Sequence, residues 1–155
     1  MNLSWDTLTE DVITAVADTL EDELEGVRVQ CLDGLSDGPQ DTPLMQVHWM
    51  TDDWDPHAAE GDRTAFRGAL QQASIDLQIW AFIRPRGLIG EDQQATVEWA
   101  DKLRAVLRGQ ARGFFGTEGS PRVRGCTYRI EAISWTTGGN RRYAGFRAHL
   151  TVRVF

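Results

Sequence analysis

Six ionisable side chains crowd the stretch TDDWDPHAAEGD, residues 51 to 62: Asp52, Asp53, Asp55, His57, Glu60 and Asp62. Carboxylates grouped around a histidine could hold a divalent cation or serve as an acid and base pair. The spacing fits neither. Counted from Asp53, positions 1, 3 and 5 of a calcium loop would be Asp53, Asp55 and His57, but the glycine at position 6 and the glutamate at position 12 are missing. A transition metal would find a single local nitrogen donor, His57, because His48 and His149 lie in separate strand-like segments. The carboxylates are also too many and too loop-bound to single out an acid and a base. Phosphate-binding glycine motifs, a GxSxG elbow and HExxH are absent, and neither Cys31 nor Cys126 adjoins a histidine. No catalytic, cofactor-binding or metal-ligating residue is assigned, and the chain is read as not an enzyme. Trp54 suggests a different use for the stretch. A large apolar side chain among Asp52, Asp53 and Asp55 gains little from water, and unstructured connections beyond about 12 to 15 residues are uncommon unless functional or disordered. The expectation is a 51–65 loop, mobile in an isolated subunit, that orders against a neighbouring chain with Trp54 as anchor.

Other elements must carry that loop. Leu8, Val12, Ile13, Val16, Ala17, Leu20 and Leu24 recur at three- and four-residue spacing, which predicts an amphipathic helix over 7–25, opened by a Thr7/Glu10 capping box and stopped at Gly26. Period two follows. Val27, Val29 and Cys31 form a short strand, 33–43 a loop, and Met45, Val47 and Trp49 a second strand. In the third, Ile75, Leu77, Ile79, Ala81 and Ile83 share one face, while Trp80 and Phe82 stand among polar residues on the other, a face expected not to be fully solvated. Helical spacing returns over 91–109, and strands at about 126–136 and 143–155 flank the turn sequence TTGGNRR. Phe114-Phe115 reads either as a core plug or as an exposed anchor. Together these elements predict an α+β fold, a mostly antiparallel five-stranded sheet with two helices packed on one face.

At 155 residues the chain is expected to form one domain across 1–155, large enough to fold without staples. No apolar run suits a membrane span and the amino terminus lacks the features of a secretory signal. Two cysteines far apart in sequence read as buried, reduced thiols. The net charge of −7 hides a segregation: residues 1–62 hold 16 carboxylates and only Arg28, whereas residues 63–155 hold 15 cations and 7 carboxylates. Glu21, Asp22, Glu23 and Glu25 even crowd the end of the first helix, where its dipole opposes them. Arginine pairs mark the basic half: Arg84 with Arg86, Arg122 with Arg124, Arg141 with Arg142. Their forked guanidinium groups suit carboxylates on another protein, and the acidic half disfavours a nucleic-acid backbone. Asp52, Asp53, Trp54, Asp55, Arg84, Arg86, Arg141 and Arg142 are therefore the candidate interface residues, with copies meeting head to tail through opposite charge.

An acidic amphipathic helix leading into VRVQCL, then PLMQVHWM, ASIDLQIWAFI, the helix EDQQATVEWADKLRAVLRGQ, and the closing strands CTYRIEAISW and YAGFRAHLTVRVF together resemble the tail terminator (tail completion) proteins of long-tailed bacteriophages and phage-like particles. The resemblance covers nearly the whole chain and rests on element order, lengths and the closing strand. It implies an α+β virion subunit, made in the host cytoplasm, that assembles into a hexameric ring. The ring would cap the tail tube, stop its polymerisation and join it to connector or neck proteins. DNA would pass through the lumen without specific binding, and no cofactor or catalytic residue is implied. The acidic insertion after the second strand departs from the pattern. A head-completion or neck adaptor shares the same size and ring logic, and a small-molecule-binding or enzymatic α+β domain is the alternative from another class.

Overall fold

The computed structural model describes residues 1–54, 71–110 and 114–155. Helix α1 (Leu8–Glu23) begins differently from the expected capping box. A 3-10 turn at Trp5–Thr7 precedes it and leaves Thr7 at φ −127, ψ 29, outside the extended conformation that a capping hydroxyl needs. Thr7 Oγ1 instead donates to Asp11 Oδ2 at 2.8 Å, and the Ser4 amide donates to the same oxygen at 3.0 Å. The Thr7 amide, which a capping box would give to Glu10, donates to the Ser4 carbonyl at 3.3 Å. The helix ends at Glu23 and is capped by Leu24, which is extended but whose amide still donates to the Leu20 carbonyl at 3.0 Å.

Strands β1 (Arg28–Cys31), β2 (Leu44–Trp54) and β3 (Ala73–Pro85) come next, then α2 (Ile89–Gly109), then β4 (Val123–Thr136) and β5 (Arg142–Val154). They form one five-stranded sheet in the order β1-β2-β3-β5-β4. The fold is α+β as expected, and β1 with β2 is the single parallel pair in a sheet otherwise antiparallel. That pairing follows from the 32–43 connection, which returns the chain to the same end of the sheet before β2 begins. The β4–β5 turn closes through Thr137 N to Arg141 O at 2.9 Å, with Gly139 and Asn140 in the left-handed region that its tight reversal requires.

Strand β2 runs further than its alternation suggests. A bulge between Trp49 and Thr51 shifts the register, so that Met45 and Val47 point into the core before it while Trp54 packs on the same core after it. Asp52, Asp53 and Trp54 then pair with Ile75, Ser74 and Ala73. The expectation that these three residues lie in a loop is corrected: they are strand. Asp55 and the rest of that connection lie outside the described residues.

One buried cluster joins Leu8, Val12, Val16 and Leu20 of α1, Ala100, Leu103 and Leu107 of α2, and alternate side chains of the sheet, among them Val47, Ile75, Leu77, Ile79, Phe146 and Leu150. Each of the larger of these side chains contributes roughly 1.5 to 3 kcal/mol through removal from water. Phe115 is buried in the same cluster, which decides for the core-plug reading of the Phe114-Phe115 pair. The other sheet face carries a smaller cluster of Leu44, Phe82 and Tyr143 with Trp80 and Trp135 against it.

Candidate assembly surface

The sheet order turns charge segregation along the chain into charge segregation in space. The acidic half supplies α1, β1 and β2 at one edge, and the basic half supplies α2, β5 and β4 toward the other. Around β1, Asp18, Glu21, Asp33, Asp37 and Asp41 are exposed. Their field is felt locally: burial pushes the Cys31 thiol up from its ordinary pKa, and Asp18, Asp33 and Glu21 push it further. At the far edge lies β4, with Arg124 and Arg129 exposed on it and Arg122 exposed just before it. Cys126 lies there, its pKa pushed up to about 12 by burial. Both cysteines are free thiols, on opposite edges of the sheet.

The candidate interface residues fall into two groups at opposite ends of the strands. Asp52, Asp53 and Trp54 close one end of β2, while Arg84 and Arg86 lie at the end of β3 beside Arg141 and Arg142, the Arg86 amide donating to the Arg142 carbonyl at 3.0 Å. The two groups cannot meet within one copy. Several members also have partners inside the chain. Trp54 Nε1 donates to Asp52 Oδ2 at 2.6 Å, Thr9 Oγ1 reaches the same oxygen at 3.5 Å, and the Trp54 ring lies 5.7 Å from that of Trp5. Trp54 is thereby half-buried at the margin of the core. Asp53 is exposed, as are Arg141 and Arg142.

Arg84 and Arg86 grip the first turn of α2. Arg84 Nε and Arg86 Nε each lie 3.2 Å from one carboxylate oxygen of buried Asp92, and the Gly87 amide donates to that carboxylate at 3.0 Å. Arg86 also donates to Ser134 Oγ at 2.7 Å, which ties α2 to β4. The arrangement leaves a groove of about 250 Å³ between the first half of α2 and the end of β4, with Ile89 and Val97 on one wall and Ala132 and Ile133 on the other.

The sheet face bearing the aromatic residues holds a continuous polar chain, which the sequence reading missed. Gln46 Nε2 donates to Gln30 Oε1 and the Ser36 carbonyl at 3.0 and 2.8 Å, leaving Gln46 Oε1 to face His48 Nε2 at 3.0 Å. His48 stacks on Trp80 with ring centroids 3.8 Å apart, and burial holds its pKa below the ordinary value. Trp80 Nε1 donates to Gln78 Oε1 at 2.9 Å, so the Gln78 amide nitrogen is the group 3.3 Å from His149 Nδ1. His149 Nε2 therefore carries the proton and donates to Glu131 Oε1 at 3.0 Å, where Arg147 also donates through two nitrogens at 2.6 and 2.9 Å. Both ring nitrogens of His149 are thus engaged within the sheet. The cross-strand spacing of Gln78, His149, Glu131 and Arg147 was available as alternation, but which residues face each other depends on a register that alternation does not fix.

The His149 and Arg147 hydrogen bonds hold the Glu131 carboxyl down at about 2, from an ordinary 4.5. A carboxyl depressed by folding stabilises the native state above its unfolded pKa, and the contribution is lost as pH falls through the folded value. Between about pH 4.5 and pH 2 the wild type should lose stability more steeply than Glu131→Gln. Parallel acid denaturation curves for the two proteins would show that the network does not couple to folding.

Among the described residues, no three His, Cys, Asp or Glu side chains are grouped so that they could share a metal ion. No described helix is long and apolar enough to cross a membrane. Comparison of the chain with protein-family models and with curated protein sequences gave no match.

Proposed function

We propose that the chain is a structural subunit of a phage-type tail. Copies join head to tail in a ring, taken to be a hexamer, that caps the tail tube, ends its polymerisation and offers the surface to which head or neck proteins attach. One observation carries the ring: opposite edges of a single sheet bear opposite charge, acidic around β1 and basic along β4. A closed ring needs two different, complementary surfaces on each subunit, and this polarity supplies them without making either complementary to itself. The tail assignment rests on the resemblance in element order and on the closing strand YAGFRAHLTVRVF. Both helices would cover one face of the sheet, which the single buried cluster drawing on both supports. Carboxylates toward the lumen would keep passing DNA from sticking. No catalysis is proposed, in keeping with the engaged ring of His149.

Particles made without this protein test the assignment. Overlong tubes lacking heads are expected, whereas DNA-filled heads that leak would make it a neck adaptor. For the purified protein, raising salt from about 0.1 M to about 1 M shrinks the screening length from about 10 Å to about 3 Å, and sedimentation should show the oligomer loosening. Association indifferent to salt would remove charge as its driving force.

A further inference from the structure

Leu32 has two features that the single chain does not explain. Its large apolar side chain is 38% exposed, and its backbone sits at φ +50, a left-handed conformation that glycine enters freely and leucine rarely adopts. It follows β1 directly and is fixed by a 3-10 turn, Leu35 N donating to the Leu32 carbonyl at 3.2 Å. Around it lies the acidic edge: Asp33 is its neighbour in sequence, and Asp18 and Glu21 are close enough to raise the thiol of adjacent Cys31. An apolar knob held in a strained conformation among carboxylates gains nothing from water. The opposite edge carries a matching hole. The groove between α2 and β4 is apolar at its walls, with Ile89 72% and Val97 50% exposed, and Arg86 stands at its rim with exposed Arg142 nearby.

We propose that Leu32 of one copy seats in the α2–β4 groove of the next copy, with Asp33 and its neighbouring carboxylates facing the exposed Arg142 beside that groove. The proposal rests on the head-to-tail reading and names its contact. The occupant is a second copy because knob and hole lie on opposite edges of one sheet, so neither can fill the other within a chain, and because the carboxylates beside Leu32 are opposite in charge to the exposed Arg142 beside the groove.

Leu32→Gly relieves the backbone strain while removing the knob. It should leave the monomer's melting temperature unchanged or raise it, and weaken self-association by about tenfold or more, the usual scale for losing a buried interface anchor. In a background lacking Cys31 and Cys126, mixing Leu32→Cys with Val97→Cys under mild oxidation should give a disulfide-linked heterodimer, while each variant alone stays uncrosslinked. If the wild type assembles but Leu32→Gly assembles equally well and no mixed crosslink forms, the contact is wrong and the ring reading stands. If the wild type stays monomeric up to millimolar concentration, both fall together. Crosslinking of Leu32→Cys with itself would indicate a two-fold contact, and unfolding of Leu32→Gly would make Leu32 part of the fold; either overturns the proposal.

Discussion

A single methyl group added at position 145 is expected to cost a large share of the protein's stability. Gly145 pairs with Phe82 beside the β3 bulge, and a Cβ built there would lie 1.8 Å from the Ala81 carbonyl oxygen and 2.9 Å from its carbon. Both atoms are backbone in the middle of the sheet, so they cannot swing aside as the end of a flexible side chain would. The same Ala81 oxygen accepts from Trp135 Nε1 at 2.9 Å, an indole that reaches across β5 from the edge strand and would lie 3.2 Å from the new carbon. Relief would require separating β3 from β5, which carries the longest run of paired residues in β3, and would also press on Trp135, which packs against Trp80 and Phe82 with ring centroids 5.2 and 5.0 Å away. Overpacking of an interior typically costs 1 to 3 kcal/mol, and overlap with fixed backbone belongs at or above the top of that range, so Gly145→Ala should lose about 3 kcal/mol or more. That is a large share of the roughly 5 to 15 kcal/mol that holds a domain folded. Gly138→Ala is the control, since nothing lies within 4 Å of its added carbon, and it should move the urea midpoint little. Equal midpoints for the two variants would mean that the sheet relaxes around position 145 more easily than its pairing suggests.

The requirement at Gly145 was not legible in the sequence, and the reason is general to this fold. Alternation identified the apolar faces of β2 and β3 and the spacing identified both helices, because each of those patterns is set by a residue's own strand or helix. Features that depend on two strands at once were hidden. The close approach at Gly145 lies beside a bulge between Phe82 and Arg84 that changes the β3–β5 register, and the β2 bulge at Trp49 reverses which of Asp52, Asp53 and Trp54 faces the core. Once reversed, Trp54 packs on the core with Trp5 beside it, and the aspartates that looked like its competitors include its hydrogen-bond acceptor. The polar chain from Gln46 to Arg147 was hidden for the same reason. The charge segregation, by contrast, was visible in the sequence as composition, and the strand order alone carried it into space. Leu32 gave no sequence signal at all, since leucine carries no mark of a positive φ.

Asp92→Ala should produce the second large loss, and it bears on assembly as well as on folding. The carboxylate is 6% exposed and gathers Arg84, Arg86 and the Gly87 amide at the start of α2. Sequence reading assigned those two arginines to a partner; the structure spends much of their donor capacity on Asp92. Removing the carboxylate leaves two guanidinium groups without their buried acceptor, a change that costs 3 to 5 kcal/mol when every group involved is buried. Arg84 and Arg86 are 37% and 38% exposed, so water recovers part of that penalty. The expected loss is about 2 to 3 kcal/mol, counting the hydrogen bonds to a charged acceptor, and a fall in melting temperature of roughly 5 to 10 °C for a domain of this size. Asp92→Asn keeps an acceptor for the Gly87 amide and should fall between the two. The assembly consequence follows from position: Asp92 and Arg86 both border the groove whose walls are Ile89, Val97 and Ala132. Without the carboxylate the first turn of α2 loses its tether to the Arg84–Gly87 segment, and the groove loses a fixed wall. Self-association of Asp92→Ala should therefore weaken even at temperatures where the variant remains folded. A variant that melts lower yet assembles at wild-type strength would show that copies meet on some other surface.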